Sequence, residues 1–106
     1  MRHINALRTP GFVYMMSNKS CTTLYIGVTS DLRRRYAEHR DHAHPGSFTD
    51  RYYCEDLVYF EQYDDIAIAI NRETELKKWS RKKKDLLIWE MNPDKANLGE
   101  RLLAEE

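Results

Sequence analysis

Cysteine is scarce in this chain: of 106 residues only Cys21 and Cys54 are cysteines, and they form no CxxC pair. That gives a cysteine-based zinc framework no support, and it leaves a lone disulfide open without requiring one. His3, His42 and His44 add no metal-ligand spacing. No apolar run approaches the length of a membrane span, so no membrane partner is expected. The opening MRHINALRTPGF lacks the apolar h-region of a secretory leader. Reduced thiols and a cytoplasmic location are therefore the expectation. Net charge is missing too, with seventeen basic against seventeen acidic residues. The total thus does not mark a nucleic-acid binder. There is no internal repeat and no sign of a second domain.

What the chain does have is material for one modest core, with 42% hydrophobic residues, and a heavily charged surface, with 32% charged residues. That is the balance of a single folded domain. The charge is unevenly placed. Arg33, Arg34 and Arg35 are consecutive, and Lys77, Lys78, Arg81, Lys82, Lys83 and Lys84 cluster later. Acids gather over residues 55–65 and at Glu100, Glu105 and Glu106. Such a neutral protein can present one basic face to phosphates, although any single basic run also suits a solvated helix face.

Residues 1–9 read as a lead-in, 10–98 as the domain and 99–106 as a tail. From residue 94 onward the chain reads as weakly ordered, with Leu98, Leu102 and Leu103 as docking positions. Residues 12–16 (FVYMM) and 24–28 read as strands close enough for an antiparallel hairpin. With Lys19 and Ser20 at the turn, Tyr14 would face Tyr25, and Gly27 would keep that face open. Thr29 and Ser30 supply N-cap chemistry, with Asp31 in the first turn, for a helix to about Arg40. Leu32, Arg35, Tyr36 and His39 share one stripe of it. Residues 42–55 read as a loop. Residues 57–63 alternate as a strand, with Val58, Phe60 and Gln62 on one face and Leu57, Tyr59, Glu61 and Tyr63 on the other. Asp64 or Asp65 caps a helix over residues 66–79, striped by Ile66, Ala69, Ile70, Glu73 and Leu76. Ser80 caps another, to about Glu90, with Leu86, Leu87 and Trp89 as its apolar residues. Pro93 ends it and extends Asn92.

Residues 24–39 (LYIGVTSDLRRRYAEH) concentrate reactive side chains. Arg35 and His39, four apart, suit clamping a phosphate and sharing in proton transfer. Tyr14 and Tyr25 are candidates for handling a proton, although strand tyrosines are more often packing residues. A phenol, with an ordinary pKa of about 10, needs positive charge nearby to act as a base. Glu73 lies on an apolar stripe and needs a partner. An ion pair with Lys77 or a Mg²⁺ that keeps its waters would each supply one. Asn92 is a polar anchor after a helix, or simply a cap. Phosphoryl chemistry needs a cation near the phosphate, a donor for developing charge and a base for water. Glu73 with Mg²⁺, Arg35 and a tyrosine would meet those needs.

These residues resemble the signature of the GIY-YIG nuclease family. Tyr25-Ile26-Gly27 matches the second triplet, and Phe12-Val13-Tyr14 stands for the first, with Phe12 replacing the family glycine. Arg35, His39, Glu73 (in AINRETELKKW) and Asn92 (before Pro93) match the remaining family positions. The chain is most similar to small stand-alone bacterial members. The resemblance implies an α/β (α+β) sandwich, with a three-stranded antiparallel sheet flanked by helices. It implies hydrolysis of DNA phosphodiester bonds with one divalent metal, Mg²⁺ or Mn²⁺. Carried over, Tyr14 is the base or positions the water, Arg35 stabilises the phosphate and Glu73 binds the metal. Tyr25, His39 and Asn92 support them. Gly27, Arg33, Arg34, Lys77, Arg81, Lys82, Lys83 and Lys84 are assigned to the nucleic-acid surface.

Two departures stand out: Phe12 adds bulk to the first strand, and Lys95-Ala96 replaces a tryptophan common after Asn-Pro. No attached targeting domain is visible, so unaided site-specific cleavage is not expected. Three readings follow. One is an endonuclease acting on structured or damaged DNA in repair or recombination. The second is a nucleic-acid-binding module without catalysis. The third is a subunit of a larger assembly, with Trp79, Trp89 or the tail leucines meeting a protein partner. The oligomeric state is open.

Overall fold

The computed structural model describes residues 8–105, so most of the lead-in, with His3, and also Glu106 lie outside the described residues. The architecture is the expected α+β sandwich. Strands β1 (Gly11–Ser17), β2 (Leu24–Thr29) and β3 (Asp56–Tyr63) form an antiparallel sheet in the order β2-β1-β3. Five helices are described: α1 (Leu32–Arg40), α2 (Phe48–Arg51), α3 (Ile66–Lys77), α4 (Arg81–Met91) and α5 (Leu98–Ala104). None is long and apolar enough to cross a membrane.

Strand alternation sorts the core into two layers. Val13, Met15 and Ile26 face α3 and α4 and pack with Ala69, Leu76 and Ile88. Tyr14 and Met16 face the other way, toward Leu32 and Tyr36 of α1 and the leucines of α5. Gly11 lets α3 start close against β1, since a Cβ there would lie 2.6 Å from the Ile66 Cα.

The hairpin differs from expectation. Asn18 organises the connection: its Oδ1 accepts the backbone N–H groups of Thr22 and Thr23, both at 3.0 Å, while Cys21 takes φ 59°. A local side-chain acceptor replaces the two-residue turn. Tyr14 therefore pairs with Gly27, and Tyr25 with Met16. The slip from the expected register is two residues, so every side chain keeps its face.

Strand β3 carries a second correction. The register shifts between Met15, opposite Tyr59, and Met16, opposite Leu57. Val58 is the additional residue of this bulge. Leu57 then packs with Tyr14 and Met16, and Val58 with Tyr59, against strict alternation.

Helix caps follow side-chain chemistry. Asp31, not Thr29 or Ser30, caps α1 by accepting from the Arg34 N–H at 3.1 Å. Asp65 and Ser80 cap α3 and α4 as expected. Ile70 is exposed, and the buried residues of α3 are Ala69 and Leu76. Leu86 and Trp89 are 57% and 61% exposed, and α4 buries Ile88 instead. Cys21 and Cys54 are free thiols.

The C-terminal segment is a docked helix rather than a weakly ordered tail. Asn97 Oδ1 accepts the Gly99 N–H at 3.0 Å and the Leu57 N–H of β3 at 2.9 Å. Gly99 lies against the Tyr36 ring so closely that no Cβ fits. The Tyr36 hydroxyl donates to Glu100 at 2.6 Å and accepts from Asn97 at 2.9 Å. Burial and then the Glu100 carboxylate push this phenol up to about 12.

Candidate active site

Four of the predicted residues meet on the α1 face of β1 and β2. Tyr14 and Tyr25 come from the strands, and their rings lie 6.2 Å apart. His39, from the last turn of α1, completes a triangle at 5.6 Å from Tyr14 and 5.5 Å from Tyr25. Gly27 lies under the Tyr14 ring, where a Cβ would come within 2.6 Å of its hydroxyl. The glycine thus makes room for the phenol itself.

The buried polar atoms form a chain. The Tyr14 hydroxyl is 2.8 Å from His39 Nε2, and His39 Nδ1 is 2.8 Å from Thr49 Oγ1. Tyr14, His39 and Thr49 are all buried. Burial holds the imidazole down to about 4, and the Arg35 guanidinium adds to that effect. His39 is therefore neutral at neutral pH and carries one N–H. In the tautomer that donates from Nδ1 to Thr49, Nε2 accepts the Tyr14 O–H. Burial also raises the Tyr14 phenol well above its usual value, and the neighbouring Arg35 is the largest opposing influence. Arg35 itself is held strongly protonated, first by Tyr14. It donates to Glu38 at 2.9 Å, with 35% of its side chain open to solvent. The result is a buried hydrogen-bonded chain beside a solvent-reachable cation.

Thr49 is not among the residues that the sequence singles out. It lies in α2, inside the segment read as a loop. The spacing of Ser47 and Asp50 is that of a capping box, and Ser47 Oγ does accept the Asp50 N–H at 3.3 Å. That spacing was the available signal.

Glu73 stands on the opposite layer, on α3. Its side chain is 17% exposed, and its carboxylate pairs with Lys77 at 3.2 Å. Lys77 in turn lines a cavity of about 280 Å³ with Leu24, Tyr25, Ile26, Phe48 and Lys84. This cavity wraps the edge strand β2, where the two layers meet. Glu73 thus reaches the tyrosine side through its lysine partner. Among the described residues no three His, Cys, Asp or Glu side chains cluster as a metal site. One partly exposed carboxylate is still a donor set that suits a hydrated Mg²⁺ or Mn²⁺, which needs few protein ligands.

Asn92, which caps the C-terminus of α4, is buried against β3. Its Nδ2 donates to Val58 O at 3.2 Å and Ala96 O at 2.8 Å, and its Oδ1 accepts the Ala96 N–H at 3.0 Å. The basic residues fan out. Arg33 donates to Leu103 O at 3.4 Å, toward α5. Arg34 is exposed and lies 3.9 Å from Glu38. Arg81 donates to Cys21 O at 2.5 Å, Thr22 O at 3.0 Å and Asp85 at 2.9 Å, which fastens α4 to the hairpin. Lys83 covers the Trp79 ring at 4.3 Å. Lys82 lies beside Leu86 and Trp89 in a separate depression. Of these, Lys77 and Lys84 share the Tyr25 cavity.

Comparison with known proteins matches residues 10–86 to the GIY-YIG catalytic domain. A UPF0213 protein of Natronomonas pharaonis is 38% identical over 77 residues, covering 73% of this chain and 88% of that protein. A UPF0213 protein of Syntrophus aciditrophicus is 32% identical over 84 residues, covering 79% and 94%. One from Bacillus pumilus is 36% identical over 73 residues, covering 69% and 74%. No solved structure matches the chain.

Proposed function

The chain belongs to the GIY-YIG family of nuclease domains, and from that premise we propose that it is a divalent-metal-dependent endonuclease that hydrolyses DNA phosphodiester bonds. The observation that carries the reading is the Tyr14–His39–Thr49 hydrogen-bonded chain with Arg35 beside it. Arg35 binds the phosphate and offsets charge developing on it. The Tyr14 oxygen takes the proton of the attacking water as its own proton passes to His39 Nε2. Thr49 keeps Nε2 available by accepting from Nδ1. The phenol is a weak acid in this buried site, so its proton leaves only with Arg35 and His39 both in place. Glu73 would hold the metal, and a bound Mg²⁺ or Mn²⁺ would supply further electrostatic stabilisation of the phosphate. Tyr25 lines the approach to Tyr14. Asn92 ties α4 to β3 and so fixes the frame on which the site stands. The substrates we propose are structured or damaged DNA, as met in repair or recombination.

The test is nicking of supercoiled and branched DNA by purified protein with Mg²⁺ or Mn²⁺. Cleavage should fall by about 10²-fold or more in Tyr14→Phe and Glu73→Ala. Cleavage that survives both substitutions refutes the assignment.

One observation favours a second reading, a binding module without catalysis: the Glu73 carboxylate is already paired with Lys77. DNA binding that weakens with salt, with no cleavage under either metal, would establish it.

A further inference from the structure

We propose that the cleft at the edge of β2 binds a nucleotide whose base has left the helical stack, with the base against Phe48 and its phosphates near Lys77 and Lys84. The proposal rests on the nuclease reading and names the kind of strand that reaches the site. Phe48 is 43% exposed and Tyr52 48% exposed, and both present large apolar faces to solvent. They are not scattered. Tyr25 and Phe48 have ring centroids 5.8 Å apart, and Phe48 and Tyr52 lie at 4.7 Å. A row of rings thus leads outward from Tyr14 through Tyr25 to the surface.

The mount of this row is rigid. Asp50 accepts the Gly46 N–H at 2.7 Å and lies 2.8 Å from His42 Nδ1. His42 Nε2 lies 2.5 Å from Glu55, and so ties α2 to the chain entering β3. Thr49 is buried against His39. The backbone that carries Phe48 is therefore anchored before any ligand arrives, which lowers the ordering cost of binding.

The cleft combines aromatic floor and cationic rim. Leu24, Tyr25, Ile26 and Phe48 line it with apolar surface, and Lys77 and Lys84 supply two ammonium groups. Aromatic faces stack on bases of any identity, and lysines follow the phosphates. A base inside a duplex keeps its faces covered by its neighbours. Phe48 can stack only on a base that is unpaired, looped or flipped out, and this selects strand form rather than sequence.

The experiment uses the full chain in EDTA, so no hydrolysis occurs. The probes are a short single-stranded DNA carrying one 2-aminopurine and the same sequence as a blunt duplex. The single strand is expected to bind more tightly, with quenching of the 2-aminopurine. Phe48→Leu should abolish the quench and weaken single-strand binding roughly tenfold, with duplex binding unchanged. Lys84→Met should weaken both probes and flatten the salt dependence by about one phosphate contact. Circular dichroism verifies that each variant is folded, as the exposure of Phe48 leads one to expect. Equal affinity for strand and duplex, or a quench that persists in Phe48→Leu, overturns the proposal. Quenching by a protein that never cuts with Mg²⁺ or Mn²⁺ defeats the nuclease reading alone, and cutting without quenching defeats only the stacking site.

Discussion

Replacing Gly27 with alanine should displace Tyr14, and the size of the effect can be worked out. A Cβ on Gly27 comes within 2.6 Å of Tyr14 Cζ and Oη and 2.9 Å of Cε1. Comfortable contacts between carbons lie at about 3.5–4.0 Å, so the ring must retreat by roughly 1 Å. It has little room: Tyr14 is 1% exposed, flanked by Tyr25 and His39, and fixed at 2.8 Å to Nε2. Overpacking of this kind costs about 1–3 kcal/mol, and loss of the hydrogen bond adds about 0.5–1.5 kcal/mol. For a domain of this size each kcal/mol moves the Tm by about 4–8 °C. Thermal unfolding should therefore shift down by roughly 10 °C or more. Single-turnover cleavage should fall by about 10²-fold, the usual cost of a 1 Å misplacement. A double-mutant cycle isolates the cause. With Tyr14→Ala as background, Gly27→Ala should be nearly neutral to stability, because the clashing ring is gone. A Gly27→Ala protein with unchanged Tm and rate would refute the reasoning. So would a variant equally destabilised in both backgrounds.

Two further outcomes follow from buried polar groups. His39 is held down to about 4 in the fold, against 6.5 in the free side chain. The unfolded chain therefore takes up the proton first. This contribution is complete above pH 6.5 and is lost as pH falls toward about 4, by on the order of 3 kcal/mol. Denaturant titrations of wild type and His39→Gln should diverge across that window, and parallel curves would contradict it. Asn92→Ala removes three hydrogen bonds to Val58 and Ala96. It should cost about 1–3 kcal/mol by urea midpoint, and a loss under about 0.5 kcal/mol would show that Asn92 does not tie these segments together.

How far the sequence reaches depends on the range of the interaction involved. Periodicity placed Leu32, Tyr36 and His39 on one buried stripe, because helix geometry alone decides that. Alternation put Tyr14, Tyr25 and Gly27 on one face even though the register was off by two. The errors have specific causes. Asn18 outcompeted the two-residue turn through its own side chain. The bulge at Val58 exists because β1 and β3 pair, a long-range fact with no local mark. Leu86 and Trp89 look like core residues by hydropathy, but α4 docks through Ile88. Thr49 could be found only by recognising a four-residue helix from Ser47 and Asp50. The position of Glu73 relative to Tyr25 depends on how two layers meet at one sheet edge, which periodicity does not encode.

The clasp between α5 and Tyr36 bears on how the chain is made. Asn97 and Glu100 reach Tyr36 across 61 and 64 positions of sequence. During synthesis from the N-terminus, α1 and the hairpin emerge long before the residues that cover that tyrosine. Until they arrive, the Tyr36 face has no lid, and the layer bearing Tyr14 and His39 is half built. That face thus closes only after all three strands have emerged, and a nascent chain stalled before Asn97 would hold a nearly complete sheet with an open core.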